Sequence, residues 1–240
     1  MAHAAVDERL SSLSTAEFVK VLEDDLHEPG RWLADHPLID KLERGDLTRS
    51  QIAGLMGQVY RQTVEVVRWL GMLYAKCPDM GVRRDIFNNL LEEELGAFSN
   101  TDAHFHLAAR TAVAAGAKRD ELDAVPLTPQ TQRMIEFGEQ VFYHDDNWLK
   151  PLGLGFGFEY QSPAAYGPIA EALKKSYSMT SDEVAFFEVH VTADEDHADA
   201  IVRTYDKFVR SDEERALVRE HSNLYAERYY DMLSSYQEFD

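Results

Sequence analysis

The sequence predicts an all-α domain of seven to nine helices. Three observations carry this. Apolar residues recur at three- and four-residue spacing along nearly the whole chain. Helix-start signals follow one another at short intervals, two of them capping boxes. No stretch shows the alternation of apolar and polar residues, bounded by turn residues, that marks β-strands. With 240 residues and no Ser/Gly/Pro-rich linker, the chain reads as a single domain over 1–240, of which 1–14 are expected to be a flexible extension.

Two short helical stretches, Thr15 to His27 and Trp32 to Leu42, are separated by Pro29-Gly30. Thr48 with Gln51 makes a capping box for a long helix that runs to Cys77, before Pro78. Val82 to Glu94 continues as helix up to Gly96, and Asp102 to Ala115 ends at Gly116. Thr128-Pro129 pairs an N-cap with proline at the first helical position and opens a helix to Tyr143. Trp148 to Tyr160 is helical despite Gly153, Gly155 and Gly157, and Ser162-Pro163 starts a helix to Ser176. Thr180 or Ser181 caps a helix from Asp182 to Val209. Ser211 with Glu214 is the second capping box, for a last helix ending near Ser235.

Composition excludes several functions. The formal charge of −19 disfavours nucleic acid and anionic membranes as partners, because both demand positive charge. One cysteine, Cys77, excludes a disulfide framework and a cysteine-rich metal cluster, and fits a reducing cytoplasm. No apolar run reaches the roughly 18 residues of a membrane span, and the first residues lack the pattern of a signal peptide. The glycines at 153, 155 and 157 are no phosphate loop, since neither a preceding strand nor a Lys-Ser/Thr pair accompanies them.

The helix from Asp182 carries the strongest chemical signal. Its inward stripe runs Phe187, His190, Asp194, His197, Ile201, Phe208, apolar at both ends and ionisable in the middle. His190, Asp194 and His197 fall within roughly 60° of one another around the axis. A buried carboxylate needs a counter-charge, and two imidazoles with a carboxylate form a transition-metal ligand set. An exposed charge run and a hydrogen-bonded His–Asp pair are the alternatives. Further donors lie near apolar runs on other predicted helices. Among Glu92, Glu93 and Glu94, at least one should face inward, and both Glu93 and Glu94 fit. His104 shares a face with Leu107 and Ala108. Glu159 closes the glycine-rich stretch Leu152–Phe158, which has no other charge. Each of those glycines weakens a helix by roughly 1 kcal/mol, so close packing or room for a ligand should compensate.

Together these residues resemble the heme-oxygenase-like diiron oxidases and oxygenases. The resemblance covers nearly the whole chain. It rests on the ordered set Asn89-Leu-Leu-Glu-Glu-Glu94-Leu-Gly, His104-Phe-His-Leu107, Glu159, and His190-x-x-x-Asp194-x-x-His197. It implies a compact heme-oxygenase-like helical bundle, with Glu94, His104, Glu159, His190, Asp194 and His197 as iron ligands. Glu65, on an earlier helix, is the candidate for a further one. It also implies two Fe(II)/Fe(III) ions, O2 as co-substrate, a small-molecule substrate, an external electron donor and a homodimer. The step from Glu94 to His104 resembles that of the N-oxygenating branch. The implied reaction is therefore N-oxygenation, or oxidative C–C cleavage, of an amino acid or amine. Alternatives are a fatty-acid oxidative decarboxylase of the same fold, a thiamin-salvage-like hydrolase, and a non-catalytic helical metal-binding protein.

Overall fold

Side-chain caps set the starts of six of the helices. The protein is described here by a computed structural model covering residues 9–240, with all their side chains except those of 193–197. Ten α-helices are present among the described residues, and no strand: α1 (Thr15–Leu26), α2 (Pro37–Arg44), α3 (Arg49–Lys76), α4 (Met80–Leu95), α5 (His104–Ala114), α6 (Pro129–Tyr143), α7 (Lys150–Glu159), α8 (Ser162–Tyr177), α9 (Ala185–Phe208) and α10 (Asp212–Leu233). That is more than the seven to nine expected. The short Trp32–Leu42 stretch becomes a separate 3-10 turn, Leu33–Asp35, followed by α2.

The capping boxes at Thr48/Gln51 and Ser211/Glu214 both form, and Thr128 caps α6 ahead of Pro129. Thr180 also pairs reciprocally with Glu183. The chain then makes a turn rather than an α-helix, so α9 starts at Ala185 and not at Asp182. Residues 9–14, expected as part of a flexible extension, are instead tied down. The Arg215 guanidinium donates to the carbonyls of Leu10 and Leu13, and Ser11 N–H donates to Asp212 at 2.6 Å.

α3 packs against α4, α5 and α6. α7 lies along α10 and touches α9, and α8 is held between α9 and α2. One continuous apolar core fills the space between them, from Phe18 and Leu22 through Trp69 and Phe156 to Tyr229. α4, α5 and α9 meet in pairs, and this junction holds the site.

The α2 start makes stability sensitive to acid. Buried His36 accepts the Leu38 N–H through Nδ1 at 3.0 Å, and its Nε2 lies 3.0 Å from the Ser234 hydroxyl. Burial, slightly offset by a backbone contact at Tyr230, pushes its pKa down from 6.5 to about 4. The unfolded chain therefore takes up a proton below pH 6.5 that the folded one refuses until about pH 4. Stability is full above pH 6.5, falls between 6.5 and 4, and loses about 3 kcal/mol in all from this residue. Denaturant midpoints at pH 7 and pH 4.5 check this. His36→Asn, which preserves a capping acceptor, should remove this residue's share of the drop. An equal drop in the variant would contradict it.

Candidate metal centre

The inner face of α4 sets the first donor. Val82, Ile86, Asn89 and Glu93 follow one another at helical spacing, so one stripe carries two apolar anchors and then two polar groups inward. Glu93 is 6% exposed, whereas Glu94 faces solvent. Of the two glutamates that fit, the structure thus places Glu93, and not the expected Glu94, on the inner face. The leucines left Glu93 and Glu94 both open, and Glu94 came from the family resemblance; Leu95 itself is 59% exposed. The spacing from Val82 and Ile86 was the signal that selects Glu93.

Two imidazoles converge on Glu93. His104, the first residue of α5 and fully buried, brings Nδ1 to 3.0 Å from Glu93 Oε1. His190, on α9, brings Nε2 to 3.8 Å from the same oxygen. One donor atom from each of the three residues lies within 4.8 Å of the others, a spacing that can hold a metal ion.

The surroundings choose the tautomers. His190 Nδ1 is 2.6 Å from the carbonyl of Phe186. A carbonyl only accepts, so Nδ1 carries the hydrogen and a neutral ring offers its Nε2 lone pair to the centre. His104 Nε2 is 3.2 Å from Glu92 Oε1. Held as donor there, it offers Nδ1 toward Glu93. Glu92, 2% exposed, is therefore the outer support of the site. Its other oxygen accepts the N–H groups of Phe98 and Ser99 at 2.7 and 3.2 Å, just past the turn at Gly96. Burial works against its charge, yet Ser99, Phe98 and His104 hold its carboxyl below the ordinary range. Sequence reasoning considered Glu92 only as one of three glutamates; no spacing rule marks a residue whose partners come from a turn.

Without a metal ion, His104 takes a proton instead. Burial opposes the charge, but Glu93 and Glu92 outweigh it and push the pKa up from 6.5 to about 9. Two carboxylates around one imidazole form an electron-rich cluster that a cation must balance, so the donor set fits a metal ion.

The remaining candidates are distributed differently. Glu159, at the end of α7, lines the same cavity as Glu93 and His190 and accepts from Asn89 Nδ2 at 3.0 Å. Glu65 is not in that lining; it pairs with Arg68 at 3.1 Å on α3, and Gln62 and Thr63 face the cavity in its place. Glu65, expected as a further ligand, is thus placed apart from Glu93, His104 and His190. Asp194 and His197 lie outside the described side chains.

The cavity, about 120 Å³, has room for one small ring. Apart from its polar end it is walled by Trp69, Leu73, Val82, Ile86, Phe142 and Leu154. The three glycines of α7 divide by face. A Cβ on Gly153 would come within 2.5 Å of the Val218 carbonyl, and one on Gly157 closer still to that of Ser222, so these two let α7 lie against the α10 backbone. Gly155 faces the cavity, where a Cβ meets the flexible tip of Ile201 at 2.7 Å. Gly155→Leu should therefore fill the cavity while leaving Glu93, His104 and His190, which come from other helices, in place. Iron content should match wild type and turnover of a small-molecule substrate should be lost; retained turnover would contradict this role.

The fold is heme-oxygenase-like. It superposes on a domain of unknown function with a heme oxygenase-like fold from Shewanella denitrificans, with a TM-score of 0.72, 16% identity, and 93% and 90% of the two chains covered. It also superposes on a TenA homologue from Pseudomonas syringae, with a TM-score of 0.76, 12% identity, and 99% of each chain covered. Residues 54–230 match the iron-containing redox enzymes, and the chain belongs to that family. A relative from Nitrosomonas europaea, a 4-aminobenzoate synthase, is 26% identical over 198 residues, 78% of each chain. Another 4-aminobenzoate synthase, from Chlamydia pneumoniae, is 26% identical over 165 residues, 68% of this chain and 70% of that one.

Proposed function

We propose that the protein is a non-heme diiron enzyme, an O2-dependent oxidase or oxygenase of a small molecule. The observation that carries this is the buried Glu93–His104–His190 cluster opening on an apolar cavity. Glu93, His104 and His190 would hold iron, with Glu159, Asp194 and His197 completing a site for two ions. Bound iron would supply the electron transfer that O2 chemistry requires, and O2 would be the co-substrate. The polypeptide's own contribution is to orient two imidazoles through Glu92 and the Phe186 carbonyl, and to enclose substrate away from bulk water.

The reaction we favour is N-oxygenation, or oxidative C–C cleavage, of an amine or amino acid. The 4-aminobenzoate synthases among the relatives bring formation of an aromatic amine into the same range. An external electron donor and a homodimer belong to this proposal. A cysteine-based hydrolase is disfavoured. Cys77 is buried at the end of α3, outside the cavity, and burial pushes its thiol pKa up.

Titration with Fe(II) under argon, followed by O2 uptake with candidate amines, tests the reading. Uptake should saturate at about two ions per chain, with substrate accelerating O2 consumption. Uptake of many more ions, as in a storage protein, or O2 consumption that no amine or amino acid accelerates, would overturn it.

A further inference from the structure

Among the described residues, the Asn89 amide is hydrogen-bonded on one side only. Its Nδ2 donates to Glu159, which fixes the amide orientation, because a carboxylate accepts only. The carbonyl Oδ1 is then turned the other way. It is buried and has no hydrogen-bond partner among the described residues, although Asn89 lines the cavity. A buried acceptor left without a donor is costly, so this position favours an occupant that brings an N–H or O–H.

Charge narrows the choice. Among the described lining residues there is no lysine or arginine, whereas Asp85, Glu93 and Glu159 are all present. Asp85 stands one turn from Asn89 on the same helical face, at the junction between this cavity and the outer groove lined by Asn88, Phe98 and Arg203. The Trp69 indole N–H, also buried and without a partner among the described residues, is a neutral donor and leaves a carboxylate's charge uncompensated. An ammonium group entering past Asp85 finds both a counter-charge and the waiting Asn89 carbonyl. The hydrocarbon behind it meets the apolar wall.

We infer that Asn89 Oδ1 and Asp85 form an amine subsite, and that the enzyme takes a small apolar primary amine in preference to the carboxylate of the same skeleton. Asn89 is both a positioning residue for Glu159 and a specificity residue for the substrate nitrogen. One turn, about 6 Å of helix, separates it from Glu93, so an amine held there lies beside the proposed iron site. The inference rests on the proposed function for its purpose, but not for its test.

Calorimetric titration with benzylamine, benzyl alcohol and benzoate is performed on Fe(II)-loaded and metal-free protein, with iron measured in the same samples. Benzylamine is expected to bind at least tenfold more tightly than benzoate in both forms. Asn89→Leu should weaken benzylamine about tenfold or more, since a hydrogen bond to a charged group is lost. Asp85→Asn, a change at a half-buried position that leaves the core untouched, should weaken benzylamine severalfold and leave benzyl alcohol unchanged. It serves if Asn89→Leu fails to fold. Equal binding of benzoate, no binding of benzylamine, or an unchanged affinity in both variants would overturn the subsite. Wild-type protein that takes up no iron but prefers benzylamine would overturn the iron reading and leave the subsite standing.

Discussion

Glu93→Ala should abolish iron uptake, and Glu94→Ala should leave it unchanged. The two residues are adjacent, of the same type and on the same helix. They differ in what the helix presents: Glu93 is enclosed with His104 and His190, and Glu94 faces water. Removing Glu93 deletes the carboxylate that, among the described side chains, both imidazoles approach. A supporting residue outside the ligand set is worth a factor of 10 to 100 in metal affinity, so loss of a direct donor should exceed a hundredfold. Iron analysis after anaerobic loading, with thermal unfolding to show that both variants fold, reads the result. Equal iron in the two variants would show that the cluster is only a buried hydrogen-bonded group.

Gly157→Ala is expected to destabilise the protein by about 1–3 kcal/mol, against the ordinary helix preference. In an unobstructed helix the same change gains up to about 1 kcal/mol. At Gly157 the new methyl collides with the Ser222 carbonyl, which is backbone and held by α10. Gly71, on α3, provides the control, because a Cβ there meets nothing within 4 Å. Gly71→Ala should stabilise or be neutral. Denaturant unfolding of both variants in the metal-free state measures the difference. A stabilised Gly157→Ala would mean that α7 does not need its glycines to reach α10.

The helical class was legible because its signals are local. Thr48/Gln51, Thr128-Pro129 and Ser211/Glu214 each fix a helix start with residues three or fewer positions apart, and all three form. The start of α9 was misplaced because Thr180 and Glu183 make the same reciprocal pair around a turn that is not an α-helix. At the site, His190 was legible from its inward stripe. Glu93 and Glu94 both fitted the local pattern, and only the spacing from Val82 and Ile86 separates them. Glu92, Asn89 and Asp85 were not legible as working parts, because their roles depend on a turn, another helix end and a cavity mouth brought together by the fold. The alternating glycines posed the right question with two answers: Gly153 and Gly157 serve packing, and Gly155 serves the cavity.

We propose the junction of α4, α5 and α9 as an iron site. Metal analysis of protein loaded anaerobically with Fe(II) tests it most directly, for wild type, His190→Ala and His197→Ala. The expected result is about two irons per chain in the wild type and a loss in each variant, with folding retained. Wild-type iron content in His190→Ala, or a wild type that binds none, would contradict the claim.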